Sequence, residues 1–187
     1  MRNVMPLEPT YYLLNPLREI IGIGGQWDAF ALENNGENLH GETILGRSIW
    51  DFIQGDTTRM WLDSLLQLAE LRNVAIERPY RCDSPDLRRY MLMRLVPQAE
   101  GNLRIEHQTL QVESQPEPVY IFHASVKIAR ILRARCSVCG RLELESGNWI
   151  EPKNEPENLI KEISVYYKVC GDCANPFVNS PAASLHH

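Results

Sequence analysis

Two Cys-x-x-Cys pairs, Cys136/Cys139 and Cys170/Cys173, hold the side chains of this chain best suited to chemistry. A thiolate is a soft anionic ligand, and two of them spaced by two residues can close on one ion. Two such pairs supply the four sulfurs that a tetrahedral structural zinc takes. Residues 140–169 lie between the pairs, enough chain for a hairpin and a short helix. The competing reading is two reduced pairs, or two disulfides, in an ordinary fold. Only five cysteines occur in the chain, so the placing of four of them at metal-ligand spacing favours zinc. A shell closed by four sulfurs has no open position for a substrate, and the expected role is structural rather than catalytic.

Weaker candidates surround this one. Cys82 is the odd cysteine, read as a small buried apolar residue, with redox sensing open to it if Arg81, Arg88 and Arg89 converge and lower its pKa. Those three arginines, with Asp83 and Asp86, make a dense polar loop: a surface turn of paired charges, or an edge for an anion or a partner. Of His40, His107 and His123, His40 is read in a polar loop and His107 on a strand, neither on a helix that would line a cavity. Lys127, Arg130, Arg133 and Arg135 form a basic stretch that reads as a solvated face, as a phosphate contact or as a contact for an acidic partner surface. No Ser/His/Asp set, paired-carboxylate motif or open metal site is apparent, so the chain is expected not to be an enzyme.

At 187 residues, with 44% hydrophobic and 23% charged residues, the chain has the composition of a globular protein with room for one domain and a small appendage. The net charge of −5 argues against a strongly basic nucleic-acid binder. Its apolar runs are far shorter than a membrane span, and Met1–Thr10 has no apolar export signal. The expected location is therefore the reducing cytoplasm, where paired cysteines bind metal more often than they form disulfides.

The elements that must position the cysteines are legible in outline. Tyr11–Leu14 and Glu19–Ile23 read as strands about an Asn15-Pro16 turn, and Gln26–Glu33 as a short helix. Ser48 is placed to cap a turn over Ile49–Ile53. Across Thr57–Leu71 the apolar residues Trp61, Leu62, Leu65, Leu66, Leu68 and Ala69 recur at helical spacing. Three strands follow, Ile76–Cys82, Arg89–Val96 and Leu103–Val112, the last two joined by a turn at Ala99–Asn102. This order predicts an α+β fold: a five-stranded antiparallel sheet with helices on one face, over residues 10–113. Pro116 and Pro118 then break the chain, and residues 114–135 are read as a connector. Residues 136–178 are the cysteine module: a hairpin of Arg141–Glu145 and Asn148–Glu151, a short helix over Pro156–Ile163, and a return through Tyr166–Val169. Residues 179–187 are read as a frayed tail.

The wording of the chain resembles the PAS family. Trp27-Asp28-Ala29-Phe30-Ala31-Leu32-Glu33-Asn34 looks like the first PAS helix, and Ile44–Ile53 (Ile-Leu-Gly-Arg-Ser-Ile-Trp-Asp-Phe-Ile) like the segment leading into the middle helices. Arg81–Arg89 is similar to a loop of a bacterial subfamily that joins a PAS-like domain to a C-terminal Cys-x-x-Cys…Cys-x-x-Cys zinc module. The resemblance covers about Thr10 to Cys173. It implies a sensor or protein-interaction module with a zinc-ribbon or treble-clef-like appendage, metal ligands Cys136, Cys139, Cys170 and Cys173, and a cavity for an unidentified small molecule. A protein partner or a homodimer is implied as well. The flavin-attaching Asn-Cys-Arg-Phe-Leu motif of the light sensors is absent. The alternative function is a transcription-related nucleic-acid binder using the zinc module and the basic connector.

Overall fold

The structure, a computed structural model, describes residues 9–33, 39–115, 117–123, 132–155 and 162–175. Five strands, β1 (Thr10–Leu14), β2 (Ile20–Gly24), β3 (Ile76–Arg81), β4 (Leu87–Pro97) and β5 (Leu103–Ser114), form an antiparallel sheet in the order β2-β1-β5-β4-β3. Asn15 makes the first reversal. Its side-chain oxygen accepts from the backbone N–H groups of Leu17 and Glu19, an Asx turn that brings β2 back along β1. The β4–β5 reversal runs through Glu100 and Gly101, both at positive φ.

Alternation decides which face is covered. Tyr12, Leu14, Met93, Leu95, Leu103 and Ile105 are buried on one face, beneath the helices α1 (Trp27–Glu33), α2 (Gly41–Ile44) and α3 (Asp56–Arg72). The long helix α3 contributes Leu62, Leu65, Leu66 and Ala69, the stripe its periodicity predicts, and ends on Asn73 in the left-handed region. Ser48 caps the single 3-10 turn Ile49–Asp51 by accepting from Trp50 N–H. The outer face of the sheet is polar: Glu77, Arg94, Glu106 and Arg104 run across it as a ladder of ion pairs, and Arg104 lies over the Tyr11 ring.

A second sheet, β6-β10-β7-β8-β9, comprises β6 (Tyr120–His123), β7 (Leu132–Cys136), β8 (Leu142–Glu143), β9 (Trp149–Ile150) and β10 (Glu162–Lys168). β10 runs parallel to both β6 and β7, while β7, β8 and β9 are antiparallel. Two sequence expectations differ here. The stretch read as a connector supplies strands β6 and β7, which settles Arg133 and Arg135 onto a strand. The helix expected over Pro156–Ile163 falls mostly outside the described residues, and its last two positions, Glu162 and Ile163, are strand. Burial of Ile163, Val165, Val119 and Leu142 in one cluster is the reason: β10 is central and needs β-branched residues on its inner face. No helix among the described residues is long and apolar enough to cross a membrane.

Candidate metal centre

The parallel pairing of β7 with β10 brings the two cysteine pairs together. Cys136 ends β7 opposite Lys168, and Ser137 N–H donates to Lys168 O at 2.8 Å, so Val169 and Cys170 leave β10 beside the Cys136–Cys139 turn. That turn closes through Gly140 N–H to Cys136 O at 2.9 Å, with Gly140 at φ 73°. Cys170 precedes the one-turn helix α4 (Gly171–Ala174), in which Cys173 N–H and Ala174 N–H both donate to Cys170 O. Each pair therefore sits on a tight turn that points both of its sulfurs the same way.

All four Sγ atoms lie within 4.8 Å of one another, and the Cys139–Cys170 sulfurs are 3.8 Å apart. A tetrahedron with metal–sulfur bonds of about 2.3 Å has sulfur–sulfur edges of about 3.8 Å, whereas a disulfide needs about 2.05 Å. All five cysteines are free thiols. The four cluster residues are 1–7% exposed, so the sulfurs have little water to solvate their charge. Backbone N–H groups compensate in part: Cys139 and Cys170 both donate to Cys136 Sγ, at 3.5 and 3.4 Å. Arg141 adds a cation, with Nε 3.3 Å from Cys139 Sγ and a second nitrogen held 2.8 Å from Asp172.

The thiols do not ionise alike. At Cys136 the hydrogen bond with Cys139 works against ionisation, but those from Cys170 and Cys173 outweigh it, and its pKa falls to about 6. Hydrogen bonds from Cys136, Cys170 and Cys173, joined by Arg141, hold Cys139 well below the ordinary thiol range. Cys170 and Cys173 are pushed up because they share hydrogen bonds with Cys136 and Cys139, where negative charge already sits. A divalent cation removes that conflict by attracting all four thiolates at once. The donor set is soft and all sulfur, which selects zinc or iron over magnesium or calcium, and it can hold a metal ion without help from any other residue. Among the described residues no other group of three or more His, Cys, Asp or Glu side chains converges in this way.

The other candidates lie elsewhere. Cys82 is half-buried, and its pKa is raised because desolvation outweighs the pull of Arg89 and Arg135. Of the three arginines whose convergence would have favoured a reactive thiol, Arg81 and Arg88 are taken by carboxylates instead. Arg81 binds Asp83 and Glu151, and Arg88 binds Glu151 and Glu113. The polar loop is thus an internal ion network, and Arg135 joins it through Asp83 at 3.3 Å. Arg133 pairs with the buried Glu155. Lys127 and Arg130 lie outside the described residues, as does the side chain of His123. His40 sits 3.5 Å from Asp28 near the surface. His107 lies in the first sheet, stacked on Tyr12 and sharing a 2.8 Å hydrogen bond with Tyr80 Oη; its burial lowers its pKa to about 4.

Sequence reasoning overlooked Arg141, Trp61, Tyr80 and Ser137, all in contact with the cysteines or their loops. Arg141, two residues from Cys139, and Ser137, inside the first pair, carried a readable signal. A search of protein-family models finds none that matches this chain, and no curated protein matches it either.

Proposed function

We propose that this chain is a non-enzymatic regulatory module in which a PAS-like sensor body carries a structural zinc site of the ribbon type, with Cys136, Cys139, Cys170 and Cys173 as the four ligands. The observation that carries the reading is the convergence of four buried sulfurs at tetrahedral spacing on turns from two separate parts of the chain. A closed sulfur shell stabilises a fold and offers no coordination site to a substrate. Support for the sensor half comes from the five-stranded antiparallel sheet with helices over one face, arranged as the resemblance implies.

Contact with a protein partner, or with a second copy of the chain, draws support from the second sheet. Tyr120, Phe122, Leu132 and Tyr166 share its outer face, as their register shows, and all four are exposed. The nucleic-acid reading gains nothing comparable, because Arg133 and Arg135 are already bound by carboxylates. In this reading the chain acts in the cytoplasm, where the thiols stay reduced.

Native mass spectrometry of the protein, produced without added zinc and under reducing conditions, tests this reading. One zinc per chain, with four protons displaced, is the expected result, and the same spectrum reports dimer and any retained small molecule. A folded, fully reduced chain that carries no metal and takes none up overturns it.

A further inference from the structure

The turns that carry the metal ligands are also among the places where the second sheet touches the first. Val138, between Cys136 and Cys139, accepts a 2.8 Å hydrogen bond from Arg81 N–H, at the end of edge strand β3. Ser137 Oγ is hydrogen-bonded to Thr58 Oγ1 in the first turns of α3. One turn further along α3, Trp61 Nε1 donates to Cys173 O at 3.1 Å. Gly140 sits against the ion network: a Cβ there would lie 3.2 Å from Asp83 Oδ2 and 3.3 Å from Arg81 Cζ, so the bare backbone permits the approach.

Two side chains belong to both cores. Trp61 and Tyr80 pack on the cysteine cluster and on the main core beneath the helices. Tyr80 reaches further, through its hydroxyl to His107 and from there to the stacked Tyr12. The main core itself, with Leu14, Leu65, Leu66, Leu95, Leu103 and Ile105 fully buried, takes no buried member from the cysteine module. Among the described residues, the cluster around the sulfurs holds Val138 as its only other buried residue, with Trp61, Tyr80, Trp149 and Val169 partly buried against it, a small apolar set to keep its turns in place without an ion.

From this asymmetry we infer that metal occupancy and the docking of the two sheets are a single equilibrium: the metal centre is a latch. This rests on the metal reading above. With the ion bound, the Cys136–Gly140 and Cys170–Ala174 turns hold β3 and the start of α3. Without it those turns relax, Trp61 and Tyr80 lose one of their two supports, and the first sheet stays folded while the second lets go. Coupling of this kind is reciprocal, so weakening the docking from the first-sheet side must weaken metal binding.

Hydrogen exchange on the full-length protein, zinc-loaded and after chelation under reducing conditions, reads the latch directly. The Arg81 amide and the Trp61 indole N–H are expected to exchange at least about tenfold faster once zinc is removed, while the amides of Leu95 and Ile105 keep their protection. Unchanged exchange at Arg81 and Trp61 overturns the inference and leaves zinc binding intact; collapse of Leu95 and Ile105 along with them also overturns it, because the metal would then hold the whole fold. A chain that binds no zinc removes the metal reading, and the latch with it. The reciprocal arm uses Asp83→Asn, a residue of the ion network whose partners are Arg81 and Arg135 and which is not one of the four ligands. Its zinc affinity, measured by competition with a chelator, is expected to fall about tenfold, and an unchanged affinity counts against the latch.

Discussion

His107 shows what a single buried side chain does to this protein. Its ring lies between Tyr12 and Tyr80, and its pKa of about 4 lies below the 6.5 of an unfolded histidine. The unfolded chain therefore takes up a proton near pH 6.5 that the folded chain declines until about pH 4. Between those values the unfolded state binds more protons, so stability falls as the pH falls, by about 1.4 kcal/mol per pH unit and about 3 kcal/mol in all. Above pH 7 the term is constant. Urea titrations of zinc-saturated protein between pH 7.5 and 4.5 measure it. His107→Asn retains a hydrogen-bonding atom near Tyr80 Oη but cannot titrate, so its stability should depend less on pH through this window; parallel profiles for the two proteins would refute the assignment. Arg141 is the matching case at the cysteine cluster, where a guanidinium 3.3 Å from Cys139 Sγ would offset part of the excess negative charge of four thiolates once a divalent ion is bound.

Among the elements, α3 shows best what the sequence could and could not reveal. Its inward stripe was readable because Leu62, Leu65, Leu66 and Ala69 repeat at helical spacing, and each is buried where the period puts it. Leu66 is fully buried in the main core, so Leu66→Ala should lower stability by about 2–5 kcal/mol, measured by chemical denaturation. A loss below about 1 kcal/mol would mean that the helix does not lie on the sheet as described. The other side of α3 was not readable. Thr58 and Trp61 face the cysteine turns, and their partners Ser137 and Cys173 lie 79 and 112 residues away. Strands β3, β4 and β5 were legible for the same local reason as the helix, since alternation and a turn lie within a few residues. The parallel strand β10 was not: its neighbours β6 and β7 both precede it across a long stretch of chain, and no turn signal announces such a pairing. The grouping of the four cysteines was legible by spacing alone, and the charged side chains packed near their turns were not, because each ion pair joins residues whose types suit a surface equally well.

At the scale of the whole molecule, the two sheets meet through charge as well as through apolar surface. Arg81 and Arg88 reach from the first sheet to Glu151, and Asp83 binds both Arg81 and Arg135 of β7. The Arg81 and Asp83 side chains are each only 8% exposed, which separates this network from the ion pairs of the outer surface. Buried pairs of this sort add little net stability when intact, because desolvation cancels much of the attraction. Removing one partner is different, since it strands the other charge away from water. Glu151→Gln leaves Arg81 with Asp83 alone and takes from Arg88 its closest carboxylate, while Arg88 Nε already has no partner. The expected loss is about 2–3 kcal/mol. Asp51→Asn is the internal standard: its partner Arg47 and Asp51 itself are both about half exposed, so that pair should contribute below about 0.5 kcal/mol. The two substitutions should also respond differently to salt. Raising ionic strength screens the Arg47–Asp51 pair and removes what small effect it has, whereas the Glu151→Gln deficit should persist at about 0.5 M salt, where the screening length falls to roughly 4 Å. Equal losses for the two variants, or a Glu151→Gln deficit that vanishes in salt, would place Glu151 in solvent and leave the sheets joined by the metal turns alone.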